Sequence, residues 1–341
     1  MPAPRKKTKK AKKAKTARTK KARAARKARK APAPAASSPA RSRRAIADKI
    51  KTLARAAERA RDKGEHEKSR AALERILALD PGNADAVWWM GDYWHTMERP
   101  RPALRYYRKY LGLHPGDPEA LHMIAALGGR PGRRRASDDY LRTHFDAYAE
   151  DFEDSLVGEL DYRAPRLLRR ALAKVRGPRA EPADIADIGC GTGLVGVEVR
   201  GMARTLTGVD LSRKMVALAR KRGIYDRLAV AEVTRFLRSH RRRFDMVVSA
   251  DVLIYFGDIT ALFRAAAGAL RPGGLFAFTA ESRRGGTYAL TASGRYAHNP
   301  AWLARVGRAA GLAERHRASG RLRYEVGRPV AGVISVMEKV G

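Results

Sequence analysis

Acidic residues are missing from the first 44 positions, cysteine is all but missing from the 341, and long apolar runs are missing altogether. Each absence excludes something. A single thiol, Cys190, has no partner for an internal disulfide and cannot supply a thiolate zinc site. No stretch approaches ~18 consecutive apolar residues, so no transmembrane helix is expected. Residues 1–30 contain no Leu, Ile, Val or Phe, which excludes the apolar core of a secretory signal and the apolar face of an organelle-targeting helix. A cytoplasmic chain is expected. Against these gaps stands an excess of cations, with 71 Lys and Arg against 35 Asp and Glu, a net charge of +36.

That charge is unevenly spread. Residues 1–44 hold 19 Lys and Arg and no acid, leaving 52 bases and 35 acids, a net of +17, on the remaining 297 residues. Residues 6–30 offer nothing apolar larger than Ala, and residues 31–40 (APAPAASSPA) read as a Pro/Ala/Ser linker. Such a segment buries too little surface to offset its ordering entropy, so a disordered tail and linker is expected over 1–44. It suits non-specific binding to nucleic acid, an anionic membrane or another polyanion by counterion release, with nucleoid association as a consequence. The alternative is a merely solubilising extension. In composition the tail resembles the Lys/Ala/Pro-rich arms of histone H1-like proteins.

An internal repeat follows. Leu79-Asp80-Pro81-Gly82-Asn83-Ala84 returns as Leu113-His114-Pro115-Gly116-Asp117-Pro118, 34 residues later. Aligned on the prolines, repeats span 50–83 and 84–117, with one further helix over 118–127. Gly91, Ala103 and Tyr107 stand where two helices would cross, and the first repeat has Ala57 and Ser69 at the matching Gly and Ala positions. This resembles the tetratricopeptide (TPR) family, which implies an all-α segment over 45–128 that docks on the next domain or on a protein partner. Trp88, Trp89, Tyr93 and Trp94 are expected in its core rather than in an exposed peptide groove. Residues 129–137, with the run RPGRRRA, are expected to be a linker.

Over 138–341 short apolar runs alternate with helical stretches, the pattern of a parallel α/β sheet. Asp184-Ile-Ala-Asp-Ile predicts a first strand running into Gly189-Cys190-Gly191-Thr192-Gly193, a turn that lets a ligand approach the backbone closely. Thr205–Asp210 predicts a second strand ending in an acid suited to a ribose diol, followed by a helix capped by Ser212. A third strand precedes Glu232, a fourth (Phe244–Asp251) ends in another acid, and 275–279 predicts a fifth. Gly191-Thr-Gly193-Leu-Val-Gly196 also satisfies GxGxxG, so a dinucleotide-binding oxidoreductase is an alternative. Asp187, inside the strand, would repel a pyrophosphate and suits a cofactor bearing a sulfonium and an ammonium group.

DIGCGTG, GVDLS, FDMVVSADVL and LRPGG, in that order, resemble the class I S-adenosylmethionine (SAM)-dependent methyltransferases, over about residues 136–341. With the repeats in front, the chain from about 45 resembles bacterial predicted methyltransferases that carry TPR repeats, and its catalytic part the ubiquinone/trans-aconitate type. The resemblance implies a Rossmann-like seven-stranded sheet of order 3-2-1-4-5-7-6, its antiparallel seventh strand at 331–338 and its sixth near 312–318.

The resemblance also implies cofactor residues. Asp187, Gly189, Cys190, Gly191 and Gly193 lie around the methionine moiety and Asp210 on the ribose. Leu211 and Met215 lie against the adenine and Glu232 on its amine, a position where the family more often has Asp, with Val233 and Ala250 beside them. Tyr148 and Phe145, on an aromatic-rich helix ahead of the sheet, would cover the methyl donor and the acceptor. Asp251 and Tyr255, past the fourth strand, are the candidate catalytic groups, Asp251 being equally suited to a helix cap or ion pair. The polar insertion 290–298 adds Arg295 and Tyr296 as candidate acceptor contacts and His298 as a candidate base. No metal is expected. A small oxygen or nitrogen nucleophile is the first choice of acceptor; a protein docked by the repeats, or a scaffold that only binds SAM, are the alternatives.

Overall fold

The computed structural model describes residues 38–128, 134–149, 161–325 and 327–341. The expected tail lies outside the described residues up to position 37, and helix α1 (Ser38–Asp62) already begins inside the expected tail. Four more helices follow: α2 (His66–Leu79), α3 (Ala84–Thr96), α4 (Pro100–Leu113) and α5 (Pro118–Leu127). Asn83 and Asp117, the polar residues after each repeated Pro-Gly, cap α3 and α5 by accepting from the amides of Ala86 and Ala120 at 3.1 and 2.8 Å. The packing explains the small residues. A methyl group on Gly91 would lie 2.8 Å from a ring carbon of Tyr107, and Ala103 is fully buried beside it. Tyr93 is buried and Trp88, Trp89 and Trp94 are half-buried against the two small cores of this segment.

The helical segment leans on the rest of the chain. His122 of α5 bonds the carbonyl of Gly294 through Nε2 at 2.7 Å, and its ring stacks on Tyr140 at 4.2 Å. Residues 134–136, expected as linker, run beside the loop after β4, where the carbonyl of Arg134 accepts from the amides of Gly257 and Asp258. Helix α6 (Asp138–Tyr148) comes next, capped by Ser137, and then α7 (Ala164–Arg176).

The remainder is one twisted sheet between two helical layers. Strands β1 (Ala183–Ile188), β2 (Ala203–Asp210), β3 (Arg227–Val230), β4 (Phe244–Ser249) and β5 (Leu270–Ser282) pair in parallel in the order 3-2-1-4-5. Helices α8 (Leu194–Val199), α9 (Arg213–Lys221), α10 (Val233–Ser239), α11 (Thr260–Ala269) and α12 (Pro300–Ala309) connect them or follow them. Between β5 and α12 a short hairpin, β6 (Tyr288–Leu290) and β7 (Tyr296–His298), adds to the end of β5. It accounts for the polar insertion expected at 290–298. Strands β8 (Leu312–Glu325) and β9 (Arg328–Lys339) close the sheet, with β9 antiparallel to both β5 and β8. Apart from the added hairpin this is the 3-2-1-4-5-7-6 arrangement, β9 and β8 being its seventh and sixth strands.

Two differences from expectation matter later. β5 begins at Leu270, because Leu270 already pairs with Phe244 and the Arg-Pro-Gly-Gly turn is absorbed as a register shift. β8 runs to Glu325 rather than stopping near 318, since Gly327 at φ 71° allows a tight turn straight into β9. Both helical layers bury apolar faces on the sheet; in one, Phe263 of α11 meets Phe276 and Phe278 of β5 at ring separations of 5.3 and 5.1 Å. Phe263 is fully buried. Phe263→Ala should cost about 3–5 kcal/mol in urea unfolding, and a loss below 1 kcal/mol would show that this cluster does not hold the layer to the sheet.

Candidate active site

The carboxyl ends of β1, β2 and β4 converge on the glycine turn 189–193. The amides of Gly189 and Cys190 both donate to the carbonyl of Val209 on β2, at 2.7 and 3.0 Å. Asp210, the next residue, accepts from the amide of Gly191 at 2.9 Å and from that of Ser212 at 2.8 Å. Ser212 in turn caps α9 through the amide of Met215. One carboxylate thus ties the glycine turn to the start of α9. Burial raises its pKa, and these amide donors oppose the shift.

Four of the glycines are required by space or conformation. Gly189, Gly191 and Gly193 have φ of 68°, 53° and 101°. A methyl group on Gly189 would fall 2.2 Å from Cγ2 of Val252, and one on Gly196 would fall 2.3 Å from the hydroxyl oxygen of Tyr225. Gly196 is the residue that completed the dinucleotide-like GxGxxG. Its freedom admits Tyr225, which passes it to donate to Asp187 at 2.7 Å.

Two cavities flank this turn and share Phe145, Gly189, Gly191 and Tyr255. The first, of about 100 Å³, is lined by Asp210, Leu211, Glu232 and Val233 at the ends of β2 and β3, with Arg135 and Leu141 opposite. The second, of about 120 Å³, is lined by Cys190, Ala250, Asp251, Arg295 and Arg323, with Tyr162 among its walls and His144 and Tyr148 on the α6 side. Helix α6 roofs both. Its Asp146 accepts from the hydroxyl of Ser212 at 2.5 Å, and Phe145 meets Tyr255 edge-on at 5.5 Å.

The second cavity ends in a buried charge network. Asp251 follows β4 in a left-handed conformation, φ 54°. Its amide donates to the Thr279 hydroxyl at 2.9 Å, and its Oδ2 accepts from Arg323 at 2.8 Å. Arg323, on β8, is only 2 % exposed and also pairs with Glu281. Burial raises the pKa of Glu281, with Arg323 pulling the other way. Arg295 pairs with Glu325 beside the half-buried Tyr255, whose hydroxyl burial holds above its usual pKa against the pull of Arg295 and Arg323. Tyr255 is therefore a neutral hydroxyl near pH 7, able to donate a hydrogen bond.

Several sequence-predicted residues lie elsewhere. Asp187 is fully buried behind the glycine turn and lines neither cavity; the β1 register points it at Tyr225. Met215 is buried beneath α9, and Gly193 serves only as the left-handed residue before α8. Glu232 borders the first cavity, but its two carboxylate oxygens accept the amides of Thr234 and Arg235 as the cap of α10. Tyr296 is buried outside both cavities, with a ring carbon 2.7 Å from where a methyl group on Gly257 would stand. His298 is wholly buried, bonds the carbonyl of Phe256 through Nε2 at 2.7 Å, and stacks on Trp302. Burial lowers its pKa to about 4. It is a structural imidazole rather than a base in the chamber. Arg323 and Tyr162 were missed. Arg323 falls past the expected end of the sixth strand, and the signal for it was Gly327, whose φ of 71° leads into β9.

The comparisons agree with this geometry. Residues 186–278 match the family model described as "Methyltransferase domain". A ubiquinone biosynthesis O-methyltransferase of Thiobacillus denitrificans is 29% identical over 42% of this chain and 70% of its own length. Human methyltransferase-like protein 27 is 34% identical over 40% of this chain and 54% of its own length. Several curated relatives are matched over less than two thirds of their length, about half in a group of Xanthomonas enzymes. Among solved structures, the Burkholderia thailandensis 1,6-didemethyltoxoflavin-N1-methyltransferase is 21% identical over 59% of this chain and 88% of its own, with a TM-score of 0.46. The chain carries a class I SAM-dependent methyltransferase domain.

Two outcomes check the site. Gly189→Ala should weaken SAM binding at least 100-fold in calorimetry while leaving the circular dichroism spectrum unchanged; unimpaired binding would show that the turn tolerates a side chain. The second concerns Asp187, whose pKa burial raises to about 7, with Asp210 adding repulsion and Tyr225 opposing. A carboxyl whose pKa is higher in the folded state loses stability as pH rises from its unfolded value near 4 to about 7. Asp187→Asn should therefore gain stability over the parent across that interval, by at most about 1.4 kcal/mol per pH unit, and hold a constant lead above it. A lead that does not change with pH would refute the shift.

Proposed function

We propose that this domain moves a methyl group from SAM to an oxygen or nitrogen nucleophile of a small-molecule acceptor. The observation that carries the reading is the pair of cavities joined at Gly189 and Gly191, one ending in ribose-accepting chemistry and the other in a small chamber holding Asp251 and Tyr255. The residues fit the cofactor: the turn has no side chain at its closest approach, and Asp210 keeps a lone pair on each oxygen for a diol after accepting its two amides. In this reading Gly189, Cys190 and Gly191 hold the methionine part and Asp210 the ribose. Leu211 and Val233 sandwich the adenine, and Ala250 and Tyr148 complete the walls. When bound, SAM supplies a methyl group on a sulfonium, an already good leaving group.

The chain then has three tasks: align the acceptor, exclude water and take up its proton. Phe145, Tyr148 and the rest of α6 close the chamber. Arg295 and the neutral Tyr255 hydroxyl orient the acceptor, and Asp251 accepts the proton from its nucleophile. The aromatic residues of α6 along one wall and the chamber's volume of about 120 Å³ favour a small acceptor over a protein side chain. The likeness to enzymes named ubiquinone biosynthesis O-methyltransferase supports the same choice.

The domain division is part of the proposal. Residues 45–128 act as a TPR-like segment, supported by the 34-residue recurrence and the close Gly91–Tyr107 crossing. They dock against the acceptor-side hairpin through His122.

Calorimetric titration with SAM and with NADH should show binding of the first alone; NADH binding without SAM binding would overturn the reading. A lysate incubated with methyl-labelled SAM should carry label in its small-molecule fraction, and label confined to protein or nucleic acid would overturn the acceptor class. Asp251→Asn, which tolerates the same left-handed backbone, should leave SAM affinity unchanged and lower kcat by at least 100-fold.

A further inference from the structure

The helices α10, α11 and α12 form one layer over the sheet, their buried faces meeting in a shared core that includes Phe236, Phe263 and Trp302. Every exposed charged residue on their outward faces is an arginine. Arg235 and Arg238 on α10, Arg264 on α11 and Arg305 and Arg308 on α12 are exposed, as is the whole run 241–243 that leads from α10 into β4. Residues 233–243, 259–270 and 299–313 contain neither Asp nor Glu. Among the described residues none of these arginines makes an ion pair. The opposite layer mixes paired and unpaired charge: there Arg169 pairs with Glu198 at 3.1 Å and Arg200 with Asp226 at 2.7 Å, beside exposed cations such as Arg166, Arg170 and Lys174. The neighbouring Lys339 feels the excess, its pKa lowered by burial and further by Arg242 and Arg241.

An unpaired cationic face lowers folding stability by self-repulsion unless an anion covers it. We propose that this layer is a docking face for nucleic acid, held through the phosphate backbone without base recognition. The chemistry separates nucleic acid from an anionic membrane. The exposed large apolar side chains of the described residues are Ile46, Leu113, Leu121, Val197, Val230, Tyr324 and Val340, and none lies on α10, α11 or α12. A surface helix that enters a bilayer interface needs such an apolar face. The layer also uses Arg to the exclusion of Lys, and the planar guanidinium forks onto phosphate oxygens where an ammonium offers only a point charge. The basic residues 1–44 were expected to account for any nucleic-acid retention by themselves; the face places a second, folded cationic surface on the body of the protein.

The test uses the full chain and a fluorescein-labelled 30-base-pair DNA duplex, read by anisotropy over a salt series. Reversing Arg235, Arg238, Arg264 and Arg305 to Glu should weaken binding at least tenfold at 150 mM salt and lower the slope of log K against log salt by about 3.6, since each lost phosphate contact removes ~0.9. A control reverses four exposed cations of the other layer, Arg166, Arg170, Lys174 and Lys221, and should change affinity less than threefold. Unchanged SAM affinity and a melting temperature no lower than the parent's would show both variants folded. Equal losses in the two variants would mean bulk charge and overturn the proposal. No loss in either would assign all binding to residues 1–44 and overturn it too. So would retention on vesicles with 30% anionic lipid in the absence of duplex binding.

Discussion

The glycine turn after β1 is the constraint on which the site depends. Its backbone is fixed from three directions. Val209 on β2 accepts two of its amides, Asp210 accepts a third, and Val252 after β4 leaves no room for a side chain on Gly189. A parallel sheet brings the carboxyl ends of its central strands to one edge, and the crevice opens where the strand order reverses, between β1 and β4. The turn sits at that reversal. Moving it would displace the cofactor crevice on one side and the Asp251 chamber on the other, because the same two glycines wall both.

The chamber shows how charge can be buried near a reaction without a large net field. Arg323 touches Asp251, Glu281 and Glu325, and Arg295 touches Glu325. Taking such groups out of water costs several kcal/mol per ion, so each must have close partners, and removing one partner leaves the other uncompensated. The network therefore fixes geometry more than it adds stability. It holds Asp251 in a left-handed backbone state that a non-glycine residue rarely adopts, through Thr279 at its amide and Arg323 at its carboxylate.

What the sequence made legible follows from range of interaction. The glycine turn, the acid ending β2 and the Ser212 cap are encoded within a few residues each and stand in the structure, as does the strand order that the family resemblance implied. The roles of Asp187 and Glu232 were harder to see, because their oxygens are taken by Tyr225, 38 residues on, and by the amides at the start of α10, a helix the sequence reading did not place. His298 and Tyr296 misled for the opposite reason. A polar-looking insertion folded into a hairpin at the sheet edge, and the residues that alternate inward on it became core. Arg323 was invisible from composition, since nothing local distinguishes a buried arginine from the many exposed ones.

That last point reframes the charge of +36. The arginines divide into two populations by partner, not by number. One is bound to acids and builds the protein: Arg204 and Arg271 share Asp184 and Asp245 at the lower edge of the sheet, and Arg323 and Arg295 do the same at the upper edge. Those pairs hold the pKa of Asp184 well below the usual carboxylate range. Among the described residues the other population makes no ion pair with an acid, so its attraction for anions remains available to solvent. Net charge counts both alike. Only the pairing pattern separates charge that holds the fold from charge that can hold a partner, and on the layer of α10, α11 and α12 every exposed arginine is of the second kind.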